Sequence, residues 1–198
     1  MLKTELERRF GVVKTVMWRE KEFYLVTVSA VRDCQVLVTK GLHHYEMINP
    51  KDQSESKFVE LFFCLPNYWS EKDLQNNEWA YSILDQLMTY VVDNKTWFGD
   101  GHTLQMSLNK GPLSWSLKQS HCMLSTPILL REELTTINLE NKQVSFLSIV
   151  PSFRQEFQYK QAYGTNMLLE LLEQHQVTER LDGFRTNLAK SRWRRIFG

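Results

Sequence analysis

Strand-like and helix-like segments alternate in mixed order along this chain, which predicts an α+β fold built as a single domain over residues 1–198. Two observations carry the prediction. Runs rich in Val, Thr, Tyr and Phe recur at "EFYLVTVSAV", "QVLVTKGL" and "KFVELFFCLP", as strands require. A helical stripe then breaks the pattern, because Trp79, Ile83, Leu84, Leu87, Met88, Val91 and Val92 fall on one side of a helix that begins near Asn77.

At the N-terminus, Leu2 to Arg9 predicts a short helix. The first two strand segments flank "RDC", which reads as a tight turn. Met47 to Lys57, "MINPKDQSESK", is polar, contains Pro50 and reads as an exposed loop between strands. The next strand stops at Pro66, which has no N–H to give to a ladder. Asn76 or Asn77 is the expected N-cap of the central helix. Beyond it "TLQMSL" alternates like a half-buried strand, and "SHCMLSTPIL" and "VSFLSIVP" read as further strands. Thr165 is the expected cap of a second helix, with Leu168, Leu169, Leu171 and Leu172 on its buried side.

Glu60 is the one carboxylate inside the apolar run "KFVELFFCLPNYW". Side chains alternate across a strand, so Val59, Leu61, Phe63 and Leu65 share a wholly apolar face. Phe58, Glu60, Phe62 and Cys64 share the other. That second face is expected to be partly covered, or to lie beside a helix that supplies a basic partner. Burying a carboxylate unpaired costs several kcal/mol. A structural or interaction role for Glu60 is therefore favoured over a catalytic one.

Composition narrows the function classes. A net charge of +1 gives no field that would steer the protein to nucleic acid. No apolar run approaches the ~20 residues that cross a bilayer, so no membrane partner is expected. The charged start "MLKTELERRF" lacks the apolar core of a signal peptide. Cys34, Cys64 and Cys122 are odd in number and widely spaced, which fits reduced thiols in a cytoplasmic protein rather than a disulfide framework or zinc ribbon. No phosphate-cradling, nucleophile-elbow or zinc-protease motif is present. In "HHYE", His43, His44 and Glu46 would sit on a strand, where adjacent histidines point to opposite faces. The same objection separates His121 from Cys122. No metal, cofactor or catalytic residue is expected. "FGDGHT", where Gly99 and Gly101 bracket Asp100 and His102 follows, reads as a tight turn or a functional loop. The terminal "RTNLAKSRWRRIFG", residues 185–198, is basic and reads as a solvated tail or an ordinary helix.

Five segments in order resemble the suppressor of fused domain family. They are "VLVTKGLHHYEM", "KFVELFFCLPNYW", the Trp79 helix, "NKTWFGDGHTL" and "VSFLSIVPSFRQEFQYKQAYGTNMLLELL", covering about residues 36–176. The Glu60-Leu61 pair and the stretch from Leu147 to Glu156 carry most of the likeness. The resemblance implies a mixed β-sheet flanked by helices and no enzymatic activity. Animal members are two-part proteins that hold a transcription factor through a short peptide, and this length has room for the first part only. For stand-alone members of bacterial type, the family implies an immunity protein that binds and neutralises a toxin encoded by a neighbouring gene.

The family's partner groove maps to the end of the central helix and the loop after it. The matching positions are Tyr90, Asp100 and His102; the family places the acid directly before the histidine, whereas Gly101 intervenes here. Trp97 and Phe98 add the aromatic groups that interface centres favour. The expected partner surface is thus Tyr90, Trp97, Asp100 and His102. The competing reading is a hydrolase-like enzyme whose site is assembled from His43, Glu60, His102 and Cys122.

Overall fold

The computed structural model describes residues 2–28, 33–49, 58–70, 72–73, 78–106, 112–114 and 116–189. Helix α1 (Leu2–Phe10) leads into strands β1 (Val13–Trp18), β2 (Lys21–Thr27) and β3 (Cys34–Thr39). A single 3₁₀ turn, Leu42–His44, precedes β4 (Phe58–Pro66). The central helix α2 (Trp79–Asp93) follows, then β5 (Thr103–Gln105), β6 (His121–Ser125), the short helix α3 (Arg131–Leu134) and the hairpin of β7 (Thr136–Leu139) with β8 (Lys142–Ser152). Helices α4 (Arg154–Tyr163) and α5 (Thr165–Gln174) complete the described elements.

The strands form one sheet in the order β1-β2-β3-β4-β8-β6-β5, with β7 paired to β8 off this path. Strand β4 runs parallel to β8, and the other pairs are antiparallel, so the sheet is mixed. A parallel pair needs a long crossover. Here the chain between β4 and β8 supplies it, with α2 lying across the sheet.

Both faces of the sheet are covered. On one, Ile83, Leu84, Leu87 and Val91 of α2 pack on Leu37, Leu61, Phe63 and Ile149. On the other, Leu2 and Leu6 of α1 and Ile137 of β7 pack on Val36, Phe62 and Phe146. Further along that face, Leu168, Leu171 and Leu172 of α5 pack on Met123 and Val150. The face that carries Glu60 is therefore core, not the partly covered surface its charge predicted. Double coverage also explains why β3 and β4 read as continuous apolar runs.

Several sequence expectations differ in detail. Strand β1 has a weak alternation and is an edge strand, which the composition of "VKTVMW" did not reveal. Val92 is 44% exposed and lies off the buried stripe of α2, whose inner side also takes Ala80 and Tyr81. The expected caps Asn76 and Asn77, and the loop from Pro50 to Lys57, lie outside the described residues. Glu78 occupies the N-cap position of α2, and Gly164 that of α5, so Thr165 is the first helical residue there.

Candidate functional site: the loop after the central helix

The loop begins where α2 ends. Asn94 closes the helix by donating its N–H to the Tyr90 carbonyl, and its side-chain amide bonds the same oxygen at 2.8 Å. Tyr90 is 48% exposed on the last turn. Its ring stacks on Phe98, centroids 6.4 Å apart and planes 17° off parallel. Phe98 is itself buried in the core under α2, so it anchors the loop from below. Trp97 meets the His102 ring edge-on at 4.4 Å. The Tyr90–Phe98 pair thus joins the loop to α2, and the Trp97–His102 pair joins the start of the loop to its end.

The loop is tied to β6 and the residue after it at Asp100, Gly101 and His102. The Gly101 N–H donates to the Leu124 carbonyl at 2.8 Å, and Leu124 N–H donates back to His102 at 2.7 Å. The Thr126 N–H donates to Asp100 Oδ1 at 2.6 Å. Gly101 has φ +75°, and a Cβ there would stand 2.3 Å from Thr165 Cγ2. Glycine at 101 is required both by the backbone and by the close approach of α5. Gly101 thus lets the loop turn beneath α5. Exposed Asp100 borders a groove of about 270 Å³, whose lining includes Ile128, Leu169, Leu172 and Val177. A larger cleft of about 790 Å³, lined in part by Tyr68, Trp69 and Phe184, contains none of the sequence-predicted site residues.

Glu60 is wholly buried but not alone. Its carboxylate accepts from the Gly41 N–H at 3.0 Å, the His43 N–H at 3.2 Å and His43 Nδ1 at 2.5 Å, and from the Thr39 hydroxyl. A carboxylate acceptor puts the proton on Nδ1. The basic partner thus comes from a 3₁₀ turn, not from a flanking helix. His43 and His44 also lie on this turn rather than on a strand, with ring centroids 4.2 Å apart. Among the described residues no group of three or more His, Cys, Asp or Glu side chains is placed to hold a metal ion.

The hydrolase reading requires Glu60 and Cys122 to meet. Glu60 lies opposite Phe146 on β8, whereas Cys122 lies opposite Pro151, five residues further along the same strand. That separation is about 17 Å of extended chain. Cys122 is buried in apolar core, and burial pushes its thiol well above the ordinary value. Of the four, His43 and Glu60 are joined by a hydrogen bond at 2.5 Å.

Two further carboxylates are buried: Glu156, which closes the stretch that carries the family likeness, and Glu179, which the sequence did not single out. Glu156 at the start of α4 accepts the Phe153 N–H at 3.0 Å and binds the Arg185 guanidinium through both oxygens, at 2.5 and 2.7 Å. Arg185 also donates to the Pro151 carbonyl at 2.9 Å and covers the Phe153 ring. Its side chain is largely buried and does not begin a solvated tail; residues 190–198 of that tail lie outside the described residues. Glu179 gathers the N–H groups of Ile128, Leu129 and Leu130 at 3.1, 3.0 and 2.8 Å. An acid three residues into α4 was a readable signal for Glu156. Nothing local marks Glu179.

The fold is a mixed sheet buried on both faces, with a helix in the crossover between its two parallel strands. The family model for suppressor of fused protein (SUFU) matches residues 21–186, and the chain belongs to that family. A candidate SUFU homolog from Neisseria gonorrhoeae FA 1090 superposes with a TM-score of 0.69 at 16% identity, covering 93% of each chain. A chain of the Sufu–Fu complex crystal structure superposes with a TM-score of 0.64 at 13% identity, over 99% of this chain and 92% of that one. Drosophila Suppressor of Fused gives 0.63 at 13% identity; this chain covers 51% of it, about half its length. No curated protein matches by sequence. Among the described residues no helix is long and apolar enough to cross a membrane.

Proposed function

We propose that the chain is a non-enzymatic, cytoplasmic protein-binding module. It acts as an immunity protein that neutralises a toxin encoded by a neighbouring gene through tight stoichiometric capture. The observation that carries the reading is the loop from Trp97 to His102. Exposed Tyr90, the Trp97–His102 pair and Asp100 converge on a loop that the sheet holds in one shape. Aromatic anchors on a rigid support lose little entropy on binding. The acid at position 100 offers a partner for a basic group, and the groove beside it has room for an apolar side chain. The near-zero net charge leaves specificity to this local patch. That a relative was crystallised as a Sufu–Fu complex supports protein capture as the mode of action.

Co-expression with the adjacent gene product and calorimetric titration test the proposal. Tyr90→Ala and Asp100→Ala are each expected to weaken capture by ~1–3 kcal/mol with the fold intact. Unchanged affinity in both variants would move the interface elsewhere.

A further inference from the structure

We propose that Lys160 is a positioning residue: its ammonium sets the shape of the 98–103 loop before any partner arrives. The inference rests on the docking role assigned to that loop above. Lys160 belongs to α4, not to the loop. Its Nζ donates to the Gly101 carbonyl at 2.5 Å and to Thr103 Oγ1 at 3.2 Å. Among the described residues, its hydrogen bonds go to a carbonyl and a hydroxyl rather than to a carboxylate. A half-buried lysine spent in this way adds little as an ion pair, and burial holds its pKa below that of an exposed lysine. What it does is fix one peptide group. Charge-assisted bonds are about twice as strong as neutral ones. The peptide it holds joins Gly101 to His102, one residue beyond Asp100, so the contact fixes the backbone that presents His102 and limits rotation at the glycine that follows Asp100. The backbone bonds to Leu124 and the packing of Thr165 restrain the same glycine from the sheet and from α5. Lys160 supplies the third restraint, from α4. A loop ordered in the free protein has less freedom left to lose when it docks.

Two variants of the full chain test this. Lys160→Met keeps the length of the stem and removes the charge, and Lys160→Arg restores a cation. Amide hydrogen exchange in the free protein is read at Gly101 and Leu124, whose N–H groups close the loop, and at Leu61 in the sheet as the reference. Lys160→Met is expected to speed exchange about tenfold at the two loop amides and leave Leu61 unchanged. Lys160→Arg is expected to recover most of the protection. Affinity for the adjacent gene product, measured alongside, is expected to fall about tenfold in Lys160→Met. Unchanged loop exchange, or equal acceleration at Leu61, would overturn the positioning role whatever happens to binding. A loosened loop with parental affinity, where Tyr90→Ala and Asp100→Ala do bind weakly, would also overturn it. A loosened loop where none of the three variants binds differently would instead overturn the docking surface itself, and with it this role.

Discussion

Replacing Glu60 by alanine removes the acceptor for four donors in a place water does not reach. The Thr39 hydroxyl has an alternative, because it also lies 3.2 Å from the Leu61 carbonyl. The N–H groups of Gly41 and His43 and the His43 imidazole lose a carboxylate partner. A buried donor left unmade costs about 1–3 kcal/mol. Partial collapse and water entry offset some of this, which leaves a net loss of about 3–5 kcal/mol, the usual range when one partner of a buried pair is removed. Glu60→Gln keeps an acceptor but turns an amide NH₂ towards donors, and about 1–3 kcal/mol is expected. In urea, with a slope near ~2 kcal/mol/M, the midpoint of Glu60→Ala should fall by about 1.5–2.5 M, and that of the glutamine variant by about 0.5–1.5 M. The slope should not change, because the surface exposed on unfolding is the same. Coincident midpoints for all three proteins would refute the structural role, and a loss of partner binding alone would make Glu60 an interface residue.

The Arg185–Glu156 pair predicts that Arg185→Met destabilises by about 3–5 kcal/mol, since it strands a buried carboxylate; a chain ending at residue 184 should melt far below one ending at 189. Cys34, Cys64 and Cys122 are all fully buried, so a thiol reagent should find none within minutes in the native protein and three in denaturant. Burial, with a smaller contribution from Arg154, lowers the pKa of His121, so the unfolded chain binds that proton more readily. Stability should therefore decline as pH falls below about 6.5, and His121→Gln should lessen the decline in thermal melts at pH 5 to 7. Elemental analysis of the purified protein should find no stoichiometric zinc.

The α+β class, most strands and helices α1, α2 and α5 were legible because each rests on a local period; α4, as long as α5, was not read as a helix. The central stripe of α2 needed only the spacing of Ile83, Leu84, Leu87 and Val91. Strand β1 was not legible, since an edge strand buries little and need not alternate. The loop of the candidate site was visible as a glycine-bracketed acid next to aromatics. Its clamps were not, because Leu124, Thr126, Lys160 and Thr165 are distant in sequence.

The charges divide in the same way. By itself the sequence determined that Glu60 sits on a strand, that its neighbours at 59 and 61 face a core, and that the acid required a partner. Alternation and the cost of desolvation suffice for that. Only the tertiary structure decided that the second face is also covered, that the partner is His43 on a 3₁₀ turn, and that Arg185 turns inward to Glu156 instead of starting a solvated tail. The reason is physical. A side chain's periodicity is set by its own backbone, but the fate of a buried charge is set by whatever donors the fold carries to it from elsewhere in the chain.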